Sequence, residues 1–193
     1  CSSNKKYVYS KYNSVYDYDY QIVKKLVKSK TYYIFLSTRK IYKAKANIKE
    51  NSKTLPKSNY AKNKLITENK LKKRLNKNLV ILRISNVIGD KSNIKKIHNT
   101  FIDIFFKNIK KGFILDNKKD YKDFISIDKF CEILKNIIKK RLSGIFNVSI
   151  GRKIYLNDII SWLNKFNKRK FITKSKIKKK DCFYLNNKKL MSK

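Results

Sequence analysis

Tyr60 and Lys64, in the stretch SNYAKNK at 58–64, stand four residues apart. On a helix that separation puts two side chains on one face, about one turn from each other. A phenol with an ordinary pKa near ~10 is a poor base at neutral pH, but a neighbouring ammonium favours the phenolate and brings it towards the working range. Thr38, which closes the run YYIFLST at 32–38, offers a hydroxyl to hold a substrate oxygen while the tyrosine handles its proton. Spacing alone decides little in a chain with 13 tyrosines and abundant lysine, where chance supplies roughly 3 such pairs. Tyr7 with Lys11, Tyr20 with Lys24 and Tyr184 with Lys188 repeat it, so only its setting can single out Tyr60.

The setting is an alternation of elements. YYIFLST is an apolar, aromatic-rich run ending in two hydroxyl residues, the pattern of a buried strand in a parallel sheet. LVILRI at 79–84 reads the same way, and IFNVS at 145–149 does so more weakly. Between the first two, Ala61, Leu65, Ile66, Leu71 and Leu75 approximate helical spacing, with Ser58 placed to cap the start. Upstream, YDYDYQIVKKLVKS reads as another helix, so the first 85 residues alternate as in an α/β domain with a parallel sheet. Downstream, NTFIDIFFKNIKK reads as a helix, FISI as a short strand, DKFCEILKNIIKK as an amphipathic helix capped by Asp128, and LNDIISWLNKF as a further helix. The basic run KSKIKKKD at 174–181 reads as a surface loop.

Composition removes several classes of function. With 193 residues, 41% of them apolar, the chain can fill a sizeable core. A formal charge of +37 points towards phosphate-rich partners. The lysines, however, are spread over the polar positions of every segment rather than gathered in a stripe, which reads as solvated background, so nucleic acid is not the expected partner. A basic nucleic-acid-binding protein remains the alternative, and tight binding that survives physiological salt would favour it. No apolar run approaches the ~20 residues of a membrane span, which makes cytoplasmic the default location. Cys1, Cys131 and Cys182 show no paired C-x-x-C spacing and His98 is the sole histidine, so neither a disulfide framework nor a metal site is expected. Cys131 is expected in a core and His98 at the surface or a helix end. The single methionine is Met191 and the chain opens at Cys1, which reads as a processed protein or as a fragment lacking its N-terminal part.

Six segments, in order YYIFLSTRKIY, NIKE, LPKSNYAKNKLITEN, LVILRISNVIGD, DYKDFISIDKF and GIFNVSIGRKIYLNDIISWL, resemble the successive motifs of the extended short-chain dehydrogenase/reductases, the NAD-dependent epimerase/dehydratase group acting on nucleotide sugars. The resemblance covers residues 1–190 or so. It implies an α/β fold: a Rossmann-like doubly wound parallel sheet, incomplete because its first βαβ units are missing, with a smaller C-terminal α/β substrate-binding region. Residues 1–90 would be the C-terminal part of the NAD(P)-binding domain, and 91–193 mainly the substrate region with segments returning to the first. It further implies NAD or NADP as cofactor, a nucleotide-sugar substrate, and a homodimer when full length.

By motif match, Thr38, four residues before Tyr42, falls at the catalytic Ser/Thr position, with Ser37 the second candidate. Tyr60 becomes the acid/base, and Lys64 binds the nicotinamide ribose hydroxyls while lowering the tyrosine pKa. Ser85 and Asn86 match the segment that passes the nicotinamide and touches the sugar, or else form a plain turn. Asn13 resembles the asparagine opening the helix before the catalytic strand, or is simply a cap. CSS falls near a strand end lying against the cofactor. Lys122 stands where relatives carry an arginine facing the nucleotide phosphates, or is merely solvated. The glycine-rich phosphate fingerprint and the acidic residue that selects NAD over NADP are absent, and both belong upstream of Cys1. Arg39 and Lys40 replace the acidic pair of the 4,6-dehydratase branch, which disfavours dehydration and leaves epimerisation or reduction. A relative that keeps the fold without catalysis is a third possibility. The 193 residues alone are expected to bind cofactor negligibly and to aggregate.

Overall fold

The computed structural model describes residues 4–26, 31–89, 107, 113–115, 120–166, 172–174 and 181–193. In chain order the described elements begin with α1 (Lys5–Tyr9), α2 (Tyr18–Leu26), β1 (Tyr33–Thr38), α3 (Asn59–Leu75), β2 (Leu79–Ile84) and β3 (Asn86–Ile88). They continue with β4 (Phe113–Leu115), β5 (Tyr121–Lys122), β6 (Phe124–Ser126), α4 (Ile127–Lys139), β7 (Gly144–Val148), β8 (Ile154–Tyr155), α5 (Leu156–Phe166), β9 (Ile172–Lys174) and α6 (Lys188–Met191).

β1, β2 and β7 form a parallel sheet in that order, in a register that aligns Thr38 with Ile84 and Ile84 with Val148. The three strands therefore end level with one another. Alternation along them builds two layers. Phe35, Leu79 and Ile81 pack with Val23 of α2 and with Leu71 and Leu75 of α3. Val80, Leu82, Phe146 and Val148 pack on the opposite face with Phe130, Ile133 and Ile137 of α4 and Leu190 of α6. Helices on both faces of a parallel sheet make the doubly wound arrangement expected. The outer edge of β1 has no strand partner among the described residues.

Beyond the sheet, β3 runs parallel to β6, β4 parallel to β9, and β5 antiparallel to β8. A third cluster of Ile41, Tyr42, Ile48, Phe183 and Leu185 fastens the C-terminal segment beside the loop after β1.

Two expectations need correction. The helix of DKFCEILKNIIKK is capped by Ser126, whose hydroxyl accepts from the Lys129 amide at 3.2 Å, and Asp128 lies inside its first turn. Cys131 is exposed: the buried stripe of α4 runs through Phe130, Ile133 and Ile137, and Cys131 falls off it. The helix read in NTFIDIFFKNIKK lies outside the described residues apart from Lys107, as do His98 and CSS, and all but the ends of KSKIKKKD.

Asp123, fully buried, ties β6 to two distant loops by accepting from the Leu185 amide at 2.9 Å and the Gly151 amide at 3.3 Å. Burial pushes its carboxyl up to about 6 against the pull of those amides. A carboxyl raised on folding holds its proton more tightly in the folded chain, so its contribution to stability is full below the unfolded pKa near 4 and is lost as pH rises through 6. We expect Asp123→Asn to flatten the fall in stability between pH 4 and 6, a difference on the order of 3 kcal/mol read by denaturant unfolding at several pH values. Identical pH profiles for the two proteins would exclude it.

Candidate active site

The carboxyl ends of parallel strands are where α/β sheets bind ligands; of the residues singled out above, Thr38 closes β1 and Ser85 follows the end of β2. β1 delivers Thr38, 8% exposed, with its hydroxyl accepting from the Lys40 amide at 3.2 Å. Ser37 is engaged elsewhere, its hydroxyl donating to Glu68 Oε1 at 2.5 Å. The two candidate hydroxyls are thereby separated: Thr38 is the one that acts on the phenol of Tyr60, lowering its pKa, while Ser37 is tied to the α3 layer. Ser58 caps α3 by accepting from the Ala61 amide at 3.2 Å, which fixes where the helix starts and places Tyr60 in its first turn.

Lys64 follows one turn later and is 1% exposed. Its Nζ lies 4.4 Å from the centroid of the Phe35 ring and 3.8 Å from Asp19 Oδ2, with no hydrogen bond to it. Asp19 Oδ2 is equally without one, its other oxygen being taken by the Tyr33 hydroxyl at 2.9 Å. Burial pushes the Lys64 ammonium below its ordinary pKa, opposed by Asp19, Asp17 and Glu68.

The expectation that Lys64 lowers the Tyr60 pKa is not what the free chain shows. Burial holds the phenol above its ordinary value, the Thr38 hydrogen bond pulls it part of the way back, and Asp19 pushes it further up. The ammonium is itself desolvated and drawn towards Asp19, so its charge is spent there.

Ser85 sits directly after β2, its amide bonded to the Val148 carbonyl at 3.0 Å and its buried hydroxyl without a partner. Asn86 begins β3 rather than a turn, and its side-chain amide donates to the Asp123 carbonyl at 3.1 Å. Asn13 is exposed and caps a short 3-10 turn, accepting from the Val15 amide at 2.9 Å. Lys122 is 7% exposed, its Nζ donating to the Asp181 carbonyl and lying 3.6 Å from Asp181 Oδ2. Arg39 grips the same Asp181 carboxylate in a two-pronged pair at 3.0 and 2.5 Å.

A buried set of supporting residues escaped the sequence reading. Asp17 accepts from Thr67 at 2.7 Å and from Tyr12 at 2.8 Å, and Tyr7 meets the same Thr67 hydroxyl at 2.7 Å. This buried chain braces the face of α3 that carries Lys64, alongside Asp19. No local pattern marks two aspartates inside a tyrosine-rich stretch, because their importance comes only from packing against α3.

The model of one protein family, the NAD dependent epimerase/dehydratase family, matches residues 9–149. The chain belongs to that family. No curated protein matches the sequence. Among solved structures, the fold is similar to UDP-glucuronic acid 4-epimerase from Bacillus cereus in complex with UDP-glucuronic acid and NAD, at 19% identity and a TM-score of 0.75 over 90% of this chain and 59% of that one. UDP-N-acetylglucosamine 4-epimerase from Methanobrevibacter ruminantium M1 gives 21% identity and 0.71 over 89% and 58%. dTDP-4-dehydrorhamnose reductase from Yersinia enterocolitica gives 18% and 0.68 over 86% and 62%. The chain thus spans about three fifths of the length of these epimerase/dehydratase-fold structures. Among its own described residues, none of the helices is long and apolar enough to cross a membrane, and no His/Cys/Asp/Glu group could hold a metal.

Orphaned polar atoms at the carboxyl edge fit the family's dinucleotide. A buried ammonium without hydrogen bonds and a buried hydroxyl without a partner, Lys64 and Ser85, are costly unless a ligand satisfies them.

Proposed function

We propose that the polypeptide is an NAD(P)-dependent epimerase or reductase acting on a nucleotide-activated sugar, with Tyr60 as the acid/base. The Thr38 hydroxyl acting on the Tyr60 phenol, one helical turn from the unsatisfied Lys64 ammonium, carries this reading. The bound dinucleotide supplies hydride exchange with a sugar carbon. Tyr60 takes or returns the proton of the hydroxyl on that carbon, and Thr38 holds the same oxygen in line. Lys64 donates to the ribose hydroxyls, and Ser85 lines the same edge. Because burial favours the neutral phenol, Tyr60 in the free chain is set to donate a proton. Its use as a base requires positive charge brought close to it. Arg39 and Lys40, both cationic, cannot abstract the proton that a dehydration would need, which keeps epimerisation and reduction as the two reactions.

The test is to supply the natural polypeptide carrying these residues with NAD(P)(H) and nucleotide sugars or their 4-keto forms, and to follow products by NMR. Neither interconversion nor reduction of any of them would defeat the proposal. In the same protein, Lys64→Ala is expected to weaken NAD binding at least about tenfold and turnover by about 100-fold, because it removes charged hydrogen bonds worth about 1.5–3 kcal/mol to the ribose and with them the placing of the cofactor beside Tyr60. Calorimetric titration giving wild-type NAD affinity for that variant would remove Lys64 from the cofactor site.

A further inference from the structure

The buried Lys64 ammonium is flanked by two aromatic rings, that of Phe35 in β1 at 4.4 Å and that of Tyr7 in α1 at 5.8 Å. Its own helix carries Tyr60 one turn before it and Glu68 one turn after it, and Glu68 is taken by Arg83 and Ser37. The chain entering α2 brings Asp17 and Asp19 to the same place. Asp17 is fully engaged, one oxygen by the Tyr20 amide at 3.1 Å and the other by Thr67 and Tyr12. Asp19 is engaged at one oxygen only. Tyr33 donates to its Oδ1, while its buried Oδ2 makes no hydrogen bond and lies 3.8 Å from Lys64 Nζ, which makes none either. Among the described residues this is the one carboxylate within ion-pairing distance of Lys64.

An amine taken out of water tends to shed its proton, and a buried one stays charged only beside a counter-charge. Resting on the function proposed above, we infer that Asp19 is a positioning residue of the cofactor site: its free carboxylate oxygen holds Lys64 in place as a cation in the free chain, so that the lysine meets the dinucleotide ribose already charged. The carboxylate is itself fixed for this task, tied through its other oxygen to the Tyr33 hydroxyl in the strand that ends at Thr38. In keeping with this, burial pushes the Lys64 ammonium down, and Asp19 leads the groups that oppose it, ahead of Asp17 and Glu68. A neutral amine in the same position would have to gain a proton as the cofactor binds.

The experiment titrates the natural polypeptide carrying these residues with NAD in a calorimeter, in buffers of different ionisation enthalpy, so that each run gives an affinity and a count of protons taken up. The wild type, whose lysine is already charged, should take up close to none between about pH 6 and pH 9. Asp19→Asn keeps an acceptor for Tyr33 and removes the charge. It should match the wild-type affinity within about twofold at the acid end, which shows that the fold is intact, and fall to about a tenth of it at the alkaline end, with uptake of about one proton where it falls. Adding Lys64→Met to Asp19→Asn should abolish that uptake. A proton count in Asp19→Asn no different from the wild type, or affinity lost equally at every pH, overturns the inference by leaving Asp19 a purely structural part. Uptake that survives Lys64→Met overturns it by assigning the proton to another group. If the wild type binds no NAD at any pH, the proposed function has failed and the inference falls with it.

Discussion

Tyr60→Phe, made in the natural polypeptide carrying these residues, is expected to lower turnover by about 10²- to 10⁴-fold, the range that a positioned acid/base contributes, while NAD affinity stays within about twofold. Phenylalanine keeps the ring and its packing in the first turn of α3 and deletes only the hydroxyl that Thr38 contacts. The pH profile gives a second readout. A phenol raised by burial is protonated throughout the neutral range. The reductive direction, which needs it as a donor, is therefore flat there and falls only at alkaline pH; the oxidative direction, which needs the phenolate, speeds up as pH rises. Both dependences should vanish in the variant. Undiminished activity in Tyr60→Phe would show that another group moves the proton.

The largest effect on stability is expected at Glu68. Its side chain is fully buried and accepts from Arg83 at 3.2 and 2.7 Å and from Ser37 at 2.5 Å. Arg83, 3% exposed, also donates to Tyr42 at 2.7 Å and to the Glu50 carbonyl at 2.9 Å. Burial disfavours the guanidinium charge, and the Glu68 carboxylate outweighs that penalty. Glu68→Ala leaves this charge buried and uncompensated, at a cost of about 3–5 kcal/mol, a large share of the 5–15 kcal/mol that typically holds a domain folded. Replacing both partners with apolar residues, as in Glu68→Leu with Arg83→Met, should recover most of the loss, because the charge leaves with its partner. Urea unfolding of the three proteins measures this, and a single variant as stable as wild type would mean that the pair contributes nothing.

The parts of the fold that sequence alone revealed are those governed by local rules. YYIFLST and LVILRI became β1 and β2 nearly residue for residue because a strand buried on both faces must be apolar along its length. Ser58 capped α3 as its hydroxyl predicted. What stayed hidden depends on partners far along the chain. Helix α1 is five residues long, too short for a periodic signal, and is held by Tyr7 reaching Thr67 sixty positions away. Asn86, compatible with a turn by its type, became a strand because β6 lies beside it. At the candidate site, the strand end at Thr38 and the helix that carries Tyr60 and Lys64 were legible from spacing and order. The state of the pair was not, since the Tyr60 and Lys64 shifts arise from burial and from Asp19, which only the folded chain brings near.

The level ending of β1, β2 and β7 works as a ruler. Sliding β1 by one residue along β2 would turn Phe35 out of one apolar layer and Leu36 out of the other, and would present Ser37 in the place of Thr38. That slip is forbidden by the hydrophobic layers and not by any bond at the site. The accuracy with which the threonine meets the tyrosine is therefore underwritten by greasy side chains that never touch a substrate. A fault there would leave every chemical group of the candidate site present and none in its proper place.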